Sequence, residues 1–301
     1  MHKYLRAVGF SEPMKHIDKM NLFGDVIEKA SYRAFLQDSE DDGNLFSEMR
    51  LDLGDGYGVL LTGNFCGEQE FEFESLIPYV ENPGISTHEE SSVEMRTDGS
   101  SYAGLCDDLN VGAPIIYRLL NGVEFMRSGE PEIDLIPGVP LSLSGLSVEG
   151  TVMLPIYKTE QERRAVRDIA SRRRRTISKA RQGDQNAMND LNNEERNTFT
   201  ILYDRMDQED LFTLVDTYFI PTGVECDLYS IVAEIRSCEM TVNPITLDQV
   251  CILTLAIDEL SFTVAINSKD LLGEPLPGRR FKGVVWLQGI LRFPDADLYS
   301  A

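Results

Sequence analysis

Apolar and polar residues alternate with two different periods in the first third of the chain. Residues 13–37 carry apolar side chains at helical spacing and predict an amphipathic helix that begins after Pro13. The segments 49–61 and 71–73 alternate with a period of two, which is typical of strands with one buried face. The turn residues Gly54-Asp55-Gly56 predict a hairpin between the first strands of this group.

A loop, a second helix and a further hairpin are predicted next. Residues 80–101 are rich in Glu, Ser and Gly, which predicts an exposed loop. Because proline is tolerated in the first turn of a helix, the apolar residues after Pro114 predict a helix that begins there. Residues 141–154 predict a hairpin that closes the first domain near Tyr157.

The central part of the chain predicts a basic helix. Within residues 159–182 the apolar side chains fall on one stripe, while most arginines fall elsewhere, as expected for a helix that docks by a narrow seam. Gly183-Asp184 interrupts this pattern, and helix resumes through about residue 207. Residues 158–211 are therefore interpreted as a helical basic connector.

The pattern of the C-terminal part of the chain predicts a small β domain. Five strands are predicted there, separated by Pro, Gly, Asn and Asp residues: 212–220, 228–240, 249–257, 260–267 and 280–291. Five strands of this length are typical of a small barrel of the oligonucleotide/oligosaccharide-binding (OB) kind, or of a small sandwich. The predicted fold class is α+β, with a mixed α/β domain (1–157), the connector, and an OB-like five-stranded barrel (212–301).

The charge of the chain disfavours a general nucleic-acid or membrane role. Its 301 residues include 50 Asp and Glu against 28 Lys and Arg, which gives a net charge of −22. Such a surface repels phosphate groups. The charge is uneven, however, because residues 158–181 hold ten basic and three acidic residues, or +7, while the remainder carries −29.

The sequence also allows predictions of the cellular compartment and of the oxidation state of the cysteines. The first ten residues lack the apolar core of a signal peptide, and no run of 18 apolar residues predicts a membrane span. We therefore expect a cytoplasmic protein. The five cysteines are widely spaced without a C-x-x-C pair, which favours reduced thiols over disulfides or a zinc site.

The run from Arg172 to Arg175 is the strongest anomaly of the sequence. It predicts a docking strip for an acidic protein partner, an anion or RNA. The alternative is a solvated helix face that neutralises acidic surface of this same chain. The helix contains no aromatic residue that could stack on a base, which disfavours a nucleic-acid partner.

The last predicted strand offers a second candidate binding surface. Arg279, Arg280 and Lys282 lie on or beside it, together with Trp286. On an OB-like barrel these side chains could form a ligand-binding face on which Trp286 stacks. The alternative is that Trp286, flanked by apolar residues, belongs to the core.

Cys106, Asp107 and Asp108 form the sharpest local cluster. Placed before the predicted helix N-terminus, the two carboxylates could bind a divalent metal ion, or the thiolate could be activated by the helix dipole. The alternative is that an aspartate caps the helix and the cysteine packs in the core. No phosphate-binding loop, dinucleotide loop or zinc-binding histidine pattern occurs in the sequence, so no cofactor is predicted.

Three stretches carry a resemblance to a known family: residues 1–10, 102–112 and 278–289. In order and spacing they resemble an uncharacterised family of cytoplasmic proteins from clostridial (Firmicutes) bacteria, catalogued only as a domain of unknown function. The resemblance covers essentially the whole chain and implies no activity, cofactor or catalytic residue. A non-enzymatic binding or scaffold module is the leading prediction, with a metal-dependent enzyme or binder and a weak single-stranded nucleic-acid binder as alternatives. The sequence leaves the oligomeric state open.

Overall fold

The computed structural model describes residues 2–13, 15–37, 44–66, 70–97, 101–108, 111, 114–128, 138–156, 160–193 and 215–293. Within these residues the helices are α1 (His16–Lys29), α2 (Gly122–Arg127) and α3 (Glu160–Arg181), with 3₁₀ turns at Lys3–Val8 and Ser268–Asp270 and a further helical stretch at 185–193. The strands are β1 (Tyr32–Gln37), β2 (Asn44–Gly54), β3 (Tyr57–Cys66), β4 (Glu70–Val80), β5 (Ser91–Met95), β6 (Tyr102–Cys106), β7 (Ile115–Leu119), β8 (Leu141–Met153), β9 (Tyr218–Pro221), β10 (Leu228–Val242), β11 (Gln249–Ile257), β12 (Leu260–Asn267), β13 (Leu271–Leu272) and β14 (Arg280–Leu291).

The first sheet follows from the period-two pattern. Strands β1 to β4 pair in sequence order, each antiparallel to the next. Gly56 has φ of +71°, a conformation that glycine adopts without strain, and it turns the chain between β2 and β3. The predicted strands and the hairpin at residues 54–56 are confirmed.

Five strands close a barrel. Strands β10, β11 and β12 form an antiparallel meander, and β14 pairs antiparallel with the first half of β10. Strand β8 completes the ring, because it runs parallel to β12 and antiparallel to β14. Strands β7, β6 and β5 extend the sheet from β14, and β9 pairs beside β10. The α+β class with a five-stranded closed barrel is therefore confirmed.

The members of the ring differ from the predicted ones. The bounds of β11, β12 and β14 are those predicted, and β10 covers the predicted strand 228–240. The segment 212–220, of which 212–214 lie outside the described residues, contributes only β9 beside the ring. Its place is taken by β8, which comes from the first half of the chain. The domain bounds at 157 and 212 stay predictions, although one sheet includes strands from both sides of them.

Two clusters of buried apolar residues hold the molecule together. The first takes side chains from all five ring strands, including Leu143, Ile231, Leu253, Phe262 and Phe281. Alternate residues of a barrel strand point inward, so this cluster fills the barrel. The second joins the first sheet and the turn at Lys3–Val8 to the outer face of the barrel, where Trp286 lies.

The prediction of a helix that begins at Pro114 is wrong. Residues Ile115–Leu119 form β7, in which buried and half-buried positions alternate. The spacing of Ile115 and Leu119 suits a helix, but Ile115, Tyr117 and Leu119 equally suit a strand. Pairing with β6 and β14 selects the strand, and helix α2 begins only at Gly122.

Three other predictions need correction. Residues 141–154 form one long strand instead of a hairpin, because the first seven residues of β8 are buried on both faces. The helix predicted over 13–37 ends at Lys29, and β1 follows it. The predicted loop at 80–101 contains β5. The helix predicted to continue to residue 207 is helical over 185–193, and the rest lies outside the described residues.

Candidate functional site

The basic helix α3 is attached to the protein by arginines on one face. Arg174 forms an ion pair with Glu259, in the turn between β11 and β12, and this hydrogen-bonded guanidinium lowers the pKa of the Glu259 carboxyl. About two turns later, Arg181 lies 3.6 Å from a carboxylate oxygen of Asp107 and donates to the Asp107 carbonyl at 3.1 Å. Arg174 and Arg181 are seven residues apart and therefore lie on the same side of the helix.

The opposite side of α3 presents basic residues to solvent. Arg172, Arg175 and Lys179 are exposed and are spaced i, i+3 and i+7, so they lie along one stripe about 10 Å long. We call these three residues the outer stripe. Arg173, between the two faces, is also exposed. The basic residues of α3 are thus divided between an inner face that forms intramolecular ion pairs and an outer face that is exposed to solvent.

The cluster Cys106, Asp107 and Asp108 does not precede a helix. Cys106 is the last residue of β6, and the next described element is β7, which is a strand and not the predicted helix. Cys106 and Asp108 are buried, whereas Asp107 is exposed beside Arg181. Burial raises the pKa of the Cys106 thiol to about 12, which is the opposite of an activated thiolate.

Metal binding by Asp107 and Asp108 stays an untested prediction. Among the described residues, no three His, Cys, Asp or Glu side chains are grouped as metal ligands would be. The prediction assumed that a helix N-terminus next to the cluster would favour bound charge. The next described element is a strand, so this argument does not apply.

Arg280 holds the chain that follows β8 and the chain that precedes β9 against the barrel. Its buried guanidinium donates to the Leu154 carbonyl at 3.0 Å and to the Val215 carbonyl at 3.0 Å. The first carbonyl lies directly after β8, and the second lies shortly before β9. Arg279 is half-buried and donates to the Glu274 carbonyl at 2.8 Å, and Lys282 is half-buried.

The single tryptophan packs beneath residues 2–10, which we call the N-terminal segment. Trp286 is 5% exposed, and its ring is stacked on Tyr4 with centroids 5.3 Å apart. The His2 ring lies 4.3 Å from the Trp286 ring. The pKa of His2 is lowered to about 4, mainly by burial and to a smaller extent by the positive charge of Arg118. This placement agrees with the core interpretation of Trp286, and the predicted basic and aromatic residues of β14 do not form one exposed face.

A polar cleft that the sequence did not indicate lies between α1 and the barrel. Its volume is about 370 Å³, and it is lined by Phe10, Ser11, Glu12, Pro13, Asp18, Asn21, Leu22, Asp25, Ile245, Thr246 and Asp248. Lys269 donates to Asp248 at 2.6 Å and to the Ser11 hydroxyl at 2.9 Å. Burial opposes ionisation of Asp248, but hydrogen bonds from Lys269, Ser11 and Asn267 outweigh it and hold the pKa at about 2.

The β10–β11 loop fastens the N-terminal segment at the edge of this cleft. The Asn243 amide donates to the Val8 carbonyl at 2.7 Å, and the Thr246 hydroxyl donates to the Gly9 carbonyl at 2.6 Å. Gly9 has φ of +99°, and a Cβ there would lie 2.7 Å from the Cβ of Asn243. The contacts that close the cleft involve residues more than 230 positions apart, which no local sequence signal could reveal.

Comparison with known proteins places the whole chain in one family. No helix within the described ranges is both long and apolar enough to cross a membrane. No curated protein and no solved structure matches the chain. One family model matches residues 5–289, which confirms the resemblance drawn from the three sequence stretches. The chain belongs to the family described as "Domain of unknown function, E. rectale Gene description (DUF3881)".

Proposed function

We propose that this protein is a non-enzymatic cytoplasmic binding module that docks an acidic protein segment on the outer stripe of α3. The observation that carries the proposal is the division of the helix into two basic faces. Arg174 and Arg181 are used by carboxylates of the same chain, whereas Arg172, Arg175 and Lys179 point to solvent. A basic surface on a chain of net charge −22 attracts an acidic partner locally while the rest of the molecule repels one.

The barrel serves as the rigid support of this surface. Glu259 lies in a barrel turn, and Arg280 lies on a barrel strand, so the barrel holds α3 and the segments directly after β8 and before β9. We also infer that the barrel is OB-like. Supporting this are the five-stranded ring, the β10–β11–β12 meander and the parallel pairing of β12 with β8.

The acidic peptide is favoured over RNA as the partner. Stacking of bases on aromatic rings supplies much of the affinity for single strands, and α3 has no aromatic residue. The aromatic side chain of β14, Trp286, is buried under the N-terminal segment. The outer stripe therefore offers charge without the stacking that would favour a nucleic acid.

A fluorescence anisotropy titration tests the proposal. The probe is a labelled polyglutamate peptide at about 0.1 M salt, where repulsion beyond about 10 Å is screened but contact pairs remain. The test variant is the triple substitution Arg172→Gln, Arg175→Gln and Lys179→Gln. Exposed ion pairs contribute roughly 0.2–1 kcal/mol each, so we expect the triple variant to bind about tenfold more weakly.

A matched control changes the same net charge on another exposed helix face. Lys15→Gln, Lys19→Gln and Lys29→Gln remove three exposed lysines in or next to α1 and leave α3 intact. This control should bind the probe like the unmodified protein. Equal weakening in both triple variants would show that only net charge matters, and tighter binding to a single-stranded RNA probe would favour the nucleic-acid alternative.

A further inference from the structure

Two thiols lie side by side on neighbouring strands of the barrel. The Sγ atoms of Cys238, on β10, and Cys251, on β11, are 3.0 Å apart. This separation is about 1 Å longer than a disulfide bond. The two residues are diagonal neighbours in the antiparallel ladder, since Cys238 pairs with Leu253 and Cys251 pairs with Met240.

The two thiols differ in access and in acidity. Cys238 is half-buried, whereas Cys251 is fully buried. The hydrogen bond from the Cys251 thiol stabilises the thiolate of Cys238, and it lowers the pKa of Cys238 while raising that of Cys251. Cys238 is therefore the thiol that meets a small oxidant first, and Cys251 is placed to react with it afterwards.

We propose that Cys238 and Cys251 are a redox modification site that forms a reversible disulfide with hydrogen peroxide as the oxidant. The Cys238 thiolate attacks one peroxide oxygen, the O–O bond breaks, and after proton uptake the products are a sulfenic acid and water. The Cys251 thiol then attacks the Cys238 sulfur, the S–O bond breaks, and a second water leaves with the thiol proton. In total, two thiols and one peroxide give one disulfide and two waters.

The surrounding strands suit a labile bridge. Diagonal neighbours are farther apart than directly opposite residues, so closing the bond requires β10 and β11 to shift. A register irregularity between Ile235 and Ser237 lies just before Cys238, where the strand can bend. A bridge that distorts its strands is more easily reduced than a relaxed structural one.

The bridge would act on the loop that fastens the N-terminal segment. Residues 239–250, between the two cysteines, include Asn243 and Thr246, which bind the carbonyls of Val8 and Gly9. Bond formation would therefore pull on the β10–β11 hairpin at the edge of the polar cleft.

Mass spectrometry of the full-length protein tests the proposal. The protein is treated with peroxide, its free thiols are alkylated, and it is digested with trypsin without reduction. The tryptic peptide 237–269 contains both cysteines and no other. We expect this peptide to lack both alkyl groups and about 2 Da. Further cleavage after Glu239 should leave two fragments joined until dithiothreitol separates them.

Single substitutions separate the two steps. In Cys251→Ser the sulfenic acid of Cys238 should persist and be trapped by dimedone, whereas Cys238→Ser should give no adduct at Cys251. Cys226→Ser, at an exposed thiol elsewhere, should leave the bridge unchanged. The proposal is overturned if both thiols of peptide 237–269 remain alkylatable after peroxide treatment, or if Cys238 proceeds to sulfinic acid while Cys251 stays reduced.

Discussion

At the scale of single residues, the contact between His2 and Trp286 links protonation to an optical signal. The two rings are 4.3 Å apart, and Trp286 is the chain's single tryptophan. Burial disfavours the charged imidazole, so the folded protein keeps His2 neutral down to a pH of about 4. Because the unfolded chain binds a proton that the folded protein does not, the free energy of unfolding is highest above the ordinary histidine pKa near 6.5 and decreases as pH falls from there to about 4.

We predict that tryptophan fluorescence titrates with a midpoint near pH 4. A protonated imidazole over the indole ring quenches its emission, so the intensity should fall as His2 takes up a proton. His2→Phe keeps an aromatic ring against Trp286 and should abolish the titration. His88→Phe, at an exposed loop position, should leave it unchanged. A midpoint near 6.5, or a titration that persists in His2→Phe, would contradict the assignment.

At the scale of elements, Arg280 couples the connector to the barrel. It is the first residue of β14, and its guanidinium reaches carbonyls at the end of β8 and before β9. We predict that Arg280→Gln lowers the free energy of unfolding by about 2–3 kcal/mol, because hydrogen bonds from a charged donor are lost in a buried site. Amide exchange measured by mass spectrometry should rise at residues 150–156 and 215–218.

The neighbouring arginine provides the control. Arg279 makes its contacts with Glu274 near the surface, where such interactions contribute about 1 kcal/mol or less. Arg279→Gln should therefore leave the exchange of both segments close to that of the unmodified protein. An equal effect of the two substitutions would show that Arg280 has no special role in holding the connector.

The elements that the sequence predicted correctly are those defined by local signals. Strands β11, β12 and β14 are rich in apolar residues and are bounded by turn residues such as Asp258-Glu259. The segment after Pro114 fits both helical and strand spacing, and its pairing with β6 and with distant β14 decides between them. Strand β8 was likewise decided by pairing with distant strands. Its sequence predicts two short strands, because its buried residues include serines and glycines.

Candidate sites were predictable only where charge concentrates along the chain. The run from Arg172 to Arg175 marked α3 correctly as a basic helix, but the sequence could not separate its inner face from its outer face. The thiol pair was missed because Cys238 and Cys251 are separated by a hairpin, and widely spaced cysteines indicate packing in the absence of pairing information. The polar cleft was missed because it joins residues 10–25 to the distant β10–β11 loop.

At the scale of the whole molecule, the barrel depends on a strand from the first half of the chain. Strand β8 pairs with β14 along most of its length, from Leu141 opposite Leu291 to Met153 opposite Arg280, and also pairs with β12. A fragment of residues 212–301 lacks β8, so β12 and β14 would both have open edges and the barrel interior would lose Leu141 and Leu143. Such edges promote aggregation.

We therefore predict that the fragment 212–301 shows no cooperative thermal transition by circular dichroism, although it includes the whole predicted C-terminal domain. When residues 1–157 are co-expressed as a separate chain, the two fragments should co-purify, because β8 can close the ring and β7 can pair with β14 without a covalent connection. Cooperative unfolding of 212–301 alone would instead support an independent C-terminal domain. Failure of the two fragments to associate would mean that the covalent connection through residues 158–211 is needed to bring β8 into the barrel.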